Sequence, residues 1–575
     1  MRSWPSNNLL RHPLSAPVLL VVVILAVYYP ALLSGIHPID DPGILDLFSA
    51  SPPLSRILLP GSGYYYRPMA ELSFYLDNML WGMEPSAMHL ENILLHCANG
   101  LLVYLLARRV IGRHENDNET LYIMPLLAAL LFALHPLNVE AVAWIAGRTD
   151  PLLGLFVLSA SYFWLNWLEK PRWQDMSATL LLFGAALLTK ETALAFGAVI
   201  VALALAWPGS ATRKQRLSAI NMIAAPGVLL VIITLVFWSG TSGLSRFMGG
   251  TDLQLAQGAW HALIAYGFYV RKLIVPFPLN FAINEVNPLN GLLGVAILPF
   301  LWWVLRLYRL SGVFFVSAAL LIMPAILVAV KQVAWTPFAE RYLYLSTAFV
   351  ALGLAGIAEV WQRKYPVVLL SFFILLLSGS ALVCFQRNLL WKDPLSFFQD
   401  AVEKSPEFGS VYYSLGGILI QKGEIDQALA AFTTADQLNK RVSMRYPIKA
   451  GIMGTMLAKG EFLEARTYFF QIFNKKQDAS ADFLELLQKA DGSRLISLGH
   501  DEKLLLAHDL LETLDLLNQK KPDPFWLYRS GQFALIMEDT VRAADFFRRS
   551  YAAAPVDAHY RPAAHTYLLK LERAK

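Results

Sequence analysis

The chain has only two cysteines in 575 residues, Cys97 and Cys384, and both lie inside or beside apolar segments. That excludes a disulfide framework and a cysteine-based zinc site. Charge is also scarce. Asp, Glu, Lys and Arg make up 16% of the chain, against about 25% in an average soluble domain. The net charge of +5 is small and dispersed, which excludes the dense basic surface of a nucleic-acid-binding protein. No glycine-rich phosphate loop or Walker sequence occurs, so direct handling of ATP or a nucleotide sugar is not expected. No set of His, Cys and carboxylates has metal-ligand spacing.

What is abundant is apolar surface. Hydrophobic residues make up 56% of the chain and the mean hydropathy is +0.45, so much of it must face lipid. Fifteen Trp and 23 Tyr suit the two interfacial belts of a membrane protein. Arg2 and Arg11 precede a long apolar run without a small-residue cleavage site, which reads as a retained first span.

Apolar runs of spanning length fall at 16–34, 87–110, 121–135, 151–168, 176–190, 191–207, 217–239, 291–305, 312–330, 342–361 and 366–385. A twelfth candidate, 259–275, carries Trp260, His261, Arg271 and Lys272 and breaks at Pro276 and Pro278. With a cytoplasmic N-terminus and eleven crossings, Arg108, Arg109, Arg113, Lys170, Arg172, Arg213, Lys214, Arg216, Arg306, Arg309, Arg363 and Lys364 fall inside. Letting 259–275 cross would move the last four outside, against the positive-inside bias. Eleven spans with 259–275 outside or re-entrant is therefore the expected topology, and it places the C-terminus outside the cytoplasm.

The composition becomes soluble and helical after about residue 386. Tyr412, Leu415, Gly416, Leu419, Gly423, Ala428, Phe432 and Ala435 match the tetratricopeptide pattern. A second copy aligns through Gly460, Ala465 and Phe469, and a third through Leu527, Gly531, Ala543, Phe547, Ser550 and Pro555. Pro394, Phe398, Ala401 and Pro406 fit the second half of another repeat, whereas 480–520 fits poorly. The expectation is an all-α chain: a polytopic membrane domain, 1–385, followed by an α-solenoid of repeats, 386–575. Such arrays bind peptide segments in a concave groove or serve as structural platforms.

Under this topology the charged residues near the membrane gather on the outside face. The first outside loop, 35–86, holds the adjacent carboxylates Asp40 and Asp41 and then Arg67, which opens an amphipathic stretch suited to lying on the membrane. His89 and His96 follow at helical spacing. His135, Glu140, Arg148 and Asp150 fall between the third and fourth spans, Lys190 and Glu191 at a tight reversal, and Arg341 and Tyr342 just before the tenth span. Each has a plainer reading. The Asp pair could punctuate a turn, Lys190–Glu191 could be a self-neutralised reversal, Arg341 could snorkel to the headgroups, and the histidines could satisfy polar groups between helices.

A carboxylate pair and several cations at a bilayer edge suit one chemistry. Arg grips a lipid-linked phosphate with parallel hydrogen bonds, and a carboxylate deprotonates an acceptor hydroxyl as it attacks a sugar carbon. The cations would stabilise the departing phosphate, and direct attack at the anomeric carbon would invert it.

These residues resemble a known group. IDDP (39–42), YYRPMAELSFYLD (65–77), HLENILLHCANGLLVYLL (89–106), LLFALHPLNVEAVAWIAGRTDPLLGLFVLSASYFW (130–164), LLTKETAL (187–194) and ERYLYLSTAFV (340–350) are similar to the GT-C membrane glycosyltransferases. More specifically, they resemble the transmembrane-and-tetratricopeptide protein O-mannosyltransferases and their bacterial relatives. The resemblance implies a GT-C-like bundle, a polyprenyl-phosphate-linked mannose donor, and Ser or Thr hydroxyls of a protein as acceptor. It places the catalytic base at Asp40 or Asp41 and implies donor-phosphate contacts at Arg67, Arg148, Lys190 and Arg341. His89, His135, Glu140, Asp150, Glu191 and Tyr342 are further candidates. No cofactor is expected, a divalent metal at Asp40 and Asp41 is left open, and the lipid-linked sugar is substrate. The short chain without targeting or retention signals suggests a bacterial inner membrane, with the repeats in the periplasm. The region 210–335 matches little, and the short repeat array leaves a glycan or lipid acceptor open. The competing readings are an oligosaccharide ligase or polymerase, a flippase, and a scaffold that recruits partners through its repeats.

Overall fold

The computed structural model describes residues 14–59, 65–111, 120–208, 211–239, 255–332, 334–362 and 364–573. Within them the chain is all-α. The sole extended pairing among the described residues is an isolated antiparallel bridge between Ile283 and Phe338. Two compact units are formed, Met1–Ser405 and Pro406–Lys575.

Eight helices of the first unit are long and apolar enough to cross a membrane among the described residues: Ser15–Leu33, Pro85–Ile111, Ala146–Glu169, Arg213–Phe237, Asn290–Leu307, Arg309–Lys331, Glu340–Gln362 and Pro366–Lys392. The apolar run at 121–135 becomes Ile123–Ala133 followed, after a 50° bend, by Pro136–Ala143. Pro136 causes the break, because it has no N–H to continue the helix and pushes His135 into an extended conformation. The runs at 176–190 and 191–207 become shorter helices, Trp173–Leu187 and the apolar Glu191–Ala206. The twelfth candidate forms Leu255–Ile274, which falls outside the apolar set.

Pro85–Ile111 is the hub of this unit. His89, Asn92, His96 and Asn99 recur every three or four residues and form one buried polar stripe on it. Each side chain ties the hub to a different segment. His89 Nε2 lies 3.3 Å from the Gly35 carbonyl, and Asn92 donates to Trp144 O at 2.9 Å. His96 meets Tyr344 Oη at 2.7 Å and Ala133 O at 3.0 Å, while Asn99 donates to Pro151 O at 2.8 Å and Tyr344 Oη at 3.0 Å. Polar bridges of this kind join helices where lipid supplies no hydrophobic drive for association.

The compact unit continues past residue 386. Pro366–Lys392 runs on beyond that position, and the next helix, Pro394–Lys404, packs back through Phe397. The Phe397 ring lies 4.4 Å from that of Trp391 and 5.1 Å from that of Phe281.

In the second unit the repeat positions are the buried ones. Ala428, Phe432 and Ala435, then Ala465 and Phe469, then Ala543, Phe547 and Ser550, face the interior of successive helix pairs. Gly416 and Gly531 let the paired helices approach. A Cβ at either would sit 2.9 and 2.7 Å from the rings of Phe432 and Phe547. The region 480–520 forms two further helices, Ala481–Arg494 and His500–Lys520, that share the core of the second copy.

Candidate active site

The two acidic neighbours have different fates. Asp41 opens the short helix Asp41–Ser49 with Pro42 beside it, the position where proline's missing N–H costs nothing. Its carboxylate is buried and accepts the His37 backbone N–H at 2.8 Å and the Ala146 N–H at 3.0 Å. Asp40, one residue earlier, is exposed. No hydrogen-bond donor touches its carboxylate among the described residues. Burial pushes the Asp41 carboxyl up to about 7, with the amides of His37 and Ala146 pulling against it. Crowding by the protein also raises Asp40, and the charges that oppose that rise are Arg341 and Arg67.

The cations reach this point from three distant segments. Arg67 precedes the helix Pro68–Trp81, whose second residue donates its N–H to Leu188 O at 3.1 Å. That contact brings Arg67 against Glu191, and the two form a bidentate pair at 3.0 and 2.6 Å. Lys190 is buried and holds Asp150 Oδ1 at 2.6 Å. Arg341 pairs with Glu140, which also accepts the backbone N–H groups of Glu340 and Arg341 at 3.1 and 3.2 Å. Aromatic rings line the group: Tyr65 under Arg67 at 4.0 Å, Tyr342 near Lys190 at 5.4 Å, and Trp144 near Arg341 at 5.0 Å.

Asp40, Arg67, Lys190 and Arg341 thus share one locality with Glu140, Asp150, Glu191 and Tyr342. Each cation carries a carboxylate partner that fixes its direction, and each keeps N–H donors that the partner does not use. The site can therefore offer fixed donors to an anion beside an unpaired carboxylate.

Three other candidate residues are placed elsewhere. Arg148 is fully buried and committed within the protein: Nη1 to Asp77 at 2.6 Å, Nε to Asn92 at 2.8 Å, Nη2 to Met88 O at 3.0 Å, with Glu91 at 3.2 Å. Those contacts occupy the faces a phosphate would need. His89 contacts Gly35 at the start of the loop that carries the Asp pair. His135 caps the turn Pro136–Asn138, its ring accepting the Leu137 N–H at 3.4 Å. A divalent cation at the Asp pair would need oxygens turned together, but both Asp41 oxygens face backbone amides. Among the described residues no group of three or more His, Cys, Asp and Glu could hold a metal ion.

Two residues that matter here were not singled out in the sequence. Tyr65, beneath Arg67, opens the YYRPMAELSFYLD stretch but carries no charge that would mark it as a site residue. His37 lies within HPIDDP, and its buried ring is surrounded by those of Phe397, Trp391, Phe398, Phe281 and Trp144 at 4.7, 5.0, 5.6, 6.1 and 6.3 Å.

Residues 68–238 match the family model described as dolichyl-phosphate-mannose-protein mannosyltransferase. The matched segment includes Glu140, Arg148, Asp150, Lys190 and Glu191 and begins after the Asp pair. The chain is similar to protein O-mannosyl-transferase Tmtc1 of Drosophila melanogaster, 38% identical over 23% of this chain and 15% of that one. It is similar to Tmtc2 of the same organism at 31% identity, over 38% of this chain and 24% of that one. TMTC4 of Mus musculus is 26% identical over 63% of this chain and 57% of its own. The chain thus spans less than two thirds of the length of each relative, and the resemblance noted in the sequence holds across them. Among solved structures, yeast Tom70 aligns over 83% of this chain and 96% of its own, at 11% identity and a TM-score of 0.21, too low to indicate a shared fold.

Proposed function

We propose that the protein is a membrane glycosyltransferase that moves mannose from a polyprenyl-phosphate carrier to a Ser or Thr hydroxyl of a protein. The observation that carries this reading is the position of Asp40: an exposed, unpaired carboxylate acted on by Arg67 and Arg341, with Asp41 locked behind it.

Asp40 takes the proton of the acceptor hydroxyl as its oxygen bonds to the anomeric carbon. The bond from that carbon to the phosphate oxygen breaks, and its electron pair leaves with the carrier phosphate. Arg67, Lys190 and Arg341 stabilise that charge from fixed positions, which costs no reorganisation during the step. Attack opposite the leaving group inverts the carbon. Asp41 and its two amides hold the loop that aims Asp40. The reaction belongs on the extracytoplasmic face, where the repeats dock the acceptor protein.

The test is sugar release from undecaprenyl-phosphate-mannose by the purified protein, with and without a Ser/Thr-rich peptide. Peptide-dependent turnover that Asp40→Asn abolishes supports the reading. Undiminished turnover in Asp40→Asn removes Asp40 as the base. Donor hydrolysis or transfer only to an added glycan reassigns the acceptor.

A further inference from the structure

A polar cavity of about 510 Å3 opens between the last turn of Leu255–Ile274 and the start of Asn290–Leu307. None of Asp40, Arg67, Lys190 and Arg341 lines it, and its Lys272 is paired with the buried Glu340 at 2.7 Å. Three properties of its lining point to one ligand class.

The first is depth. Asn290 lines the cavity and is also the first residue of an apolar span, so the cavity lies where that span leaves the hydrocarbon, at headgroup level. The second is charge. The Lys272–Glu340 pair is neutral. Lys404 shares the single carboxylate of Asp400 with Arg387, at 2.5 and 2.9 Å, which leaves one positive charge over. Arg271 has only the Phe277 carbonyl, at 3.4 Å, as a hydrogen-bond partner among the described residues. Glu285 also lines the cavity and offsets one of these two charges, so the balance is positive. Asn287 and Asn290 add neutral donors. The third is continuity with an apolar stripe. Leu289, at the cavity, is 68% exposed, and Leu293, Phe300 and Trp303 continue on its side of the helix at 41, 45 and 53%. One helix face therefore leads from the cationic cleft along the span.

We infer that this cleft binds the phosphate headgroup of an anionic membrane phospholipid, with Arg271 and Lys404 on the phosphate and an acyl chain along Leu289, Leu293 and Phe300. A basic pocket at headgroup depth with an apolar exit is the pattern by which membrane proteins retain specific anionic lipids. A soluble peptide would have no use for the apolar stripe. The inference does not depend on the transferase reading, because it concerns retention of lipid and not turnover.

The experiment uses the full chain in nanodiscs of phosphatidylcholine and phosphatidylglycerol at 3:1, released gently and weighed by native mass spectrometry. Retained phosphatidylglycerol in the wild type should fall about fivefold in Arg271→Gln and about thirtyfold in Arg271→Gln/Lys404→Gln, at roughly 1 kcal/mol per headgroup cation. Arg306→Gln, at the opposite end of the same span, should retain it like wild type, and Arg271→Lys should restore most of the loss. Equal retention in all variants, or phosphatidylcholine held as tightly as phosphatidylglycerol, overturns the inference. Undecaprenyl phosphate and inorganic phosphate are competing probes. Displacement by the first alone assigns the cleft to the carrier lipid, with the same phosphate chemistry. Displacement by the second shows a phosphate site that needs no chain and overturns the acyl part.

Discussion

The backbone N–H of His37 donates to Asp41 Oδ2 at 2.8 Å, closing a turn whose one free corner is Asp40. Two adjacent residues of the same type thereby take opposite tasks. Asp41 spends both oxygens on amides, and Asp40 spends none. Separate substitutions should divide them. Asp40→Asn should keep the folded protein and its melting temperature and lower turnover by about 10²–10⁴-fold, the usual contribution of a general base. Asp41→Asn offers one acceptor oxygen where two are used, so one amide loses its partner at a cost of about 1–3 kcal/mol. Its signature is a lower melting temperature that accompanies, or precedes, lost turnover. Equal effects of the two on stability would contradict the division.

Arg341 and Arg67 are the charges that hold down an Asp40 carboxyl otherwise raised by its surroundings. A base works in its ionised form, so activity should fall on the acid side as Asp40 takes up a proton. Replacing Arg341 by Gln removes an attraction for the ionised form, lets the carboxyl rise further, and moves the acid limb to higher pH. The same variant should raise the KM for the lipid-phosphate donor. A pH–rate profile of Arg341→Gln superimposable on wild type would separate Arg341 from Asp40.

The His37 ring is 4% exposed, enclosed by five aromatic rings, and neither nitrogen has a hydrogen-bond partner among the described residues. Burial pushes its pKa down to about 3, with His89 adding to the effect, so it is neutral at any working pH. It therefore acts as an aromatic wedge that fixes the Asp40 loop. His37→Phe keeps the ring and removes two desolvated nitrogens, so the protein should be as stable as wild type or more so, with turnover kept. His37→Ala opens a cavity and should cost about 3–5 kcal/mol, with kcat lowered and donor KM unchanged. Loss of turnover in His37→Phe at normal stability would show that a ring nitrogen takes part.

The sequence made the long elements legible because their signals are local. Spans announce themselves by length, repeats by fixed offsets, and the acidic pair by adjacency. The convergence of Arg67, Lys190 and Arg341 was legible only as three cations at one membrane face. Their carboxylate partners lie 124, 40 and 201 residues away, and no periodicity links such distances. The His37 enclosure was hidden for the same reason, since Trp144, Phe281, Trp391 and Phe397 come from separate segments. The two short helices at 173–187 and 196–206 were read as full spans because apolar composition does not register where a Leu-Thr-Lys-Glu reversal ends a helix. Arg148 stood out as a cation beside the site, while its partner Asp77 looked like one more polar residue on an amphipathic surface.

That partnership gives the last prediction. Arg148 and Asp77 are both fully buried at 2.6 Å, with Glu91 at 3.2 Å from the same guanidinium. Burial and the neighbouring Glu91 push the Asp77 carboxyl up to about 7, so below that pH Asp77 keeps its proton beside the Arg148 cation. Unfolded, Asp77 would release its proton near 3.8. The native chain therefore binds more protons between the two values, and the stability linked to this group is full below about 3.8 and lost as pH rises through about 7. Asp77→Asn keeps the oxygen that accepts from Arg148 and puts an amide in place of the proton-bearing side. It should melt like wild type at low pH and show a flatter decline toward pH 7. Asp77→Ala leaves Arg148 with Glu91 as its one carboxylate partner and should cost about 3 kcal/mol, the lower end for breaking a buried pair. Melting curves of the three proteins across pH 4 to 8 decide it. An Asp77→Asn curve parallel to wild type would mean that Asp77 does not carry this linkage, and an Asp77→Ala protein of normal stability would mean that the remaining partners, Glu91, Asn92 and Met88 O, suffice for Arg148.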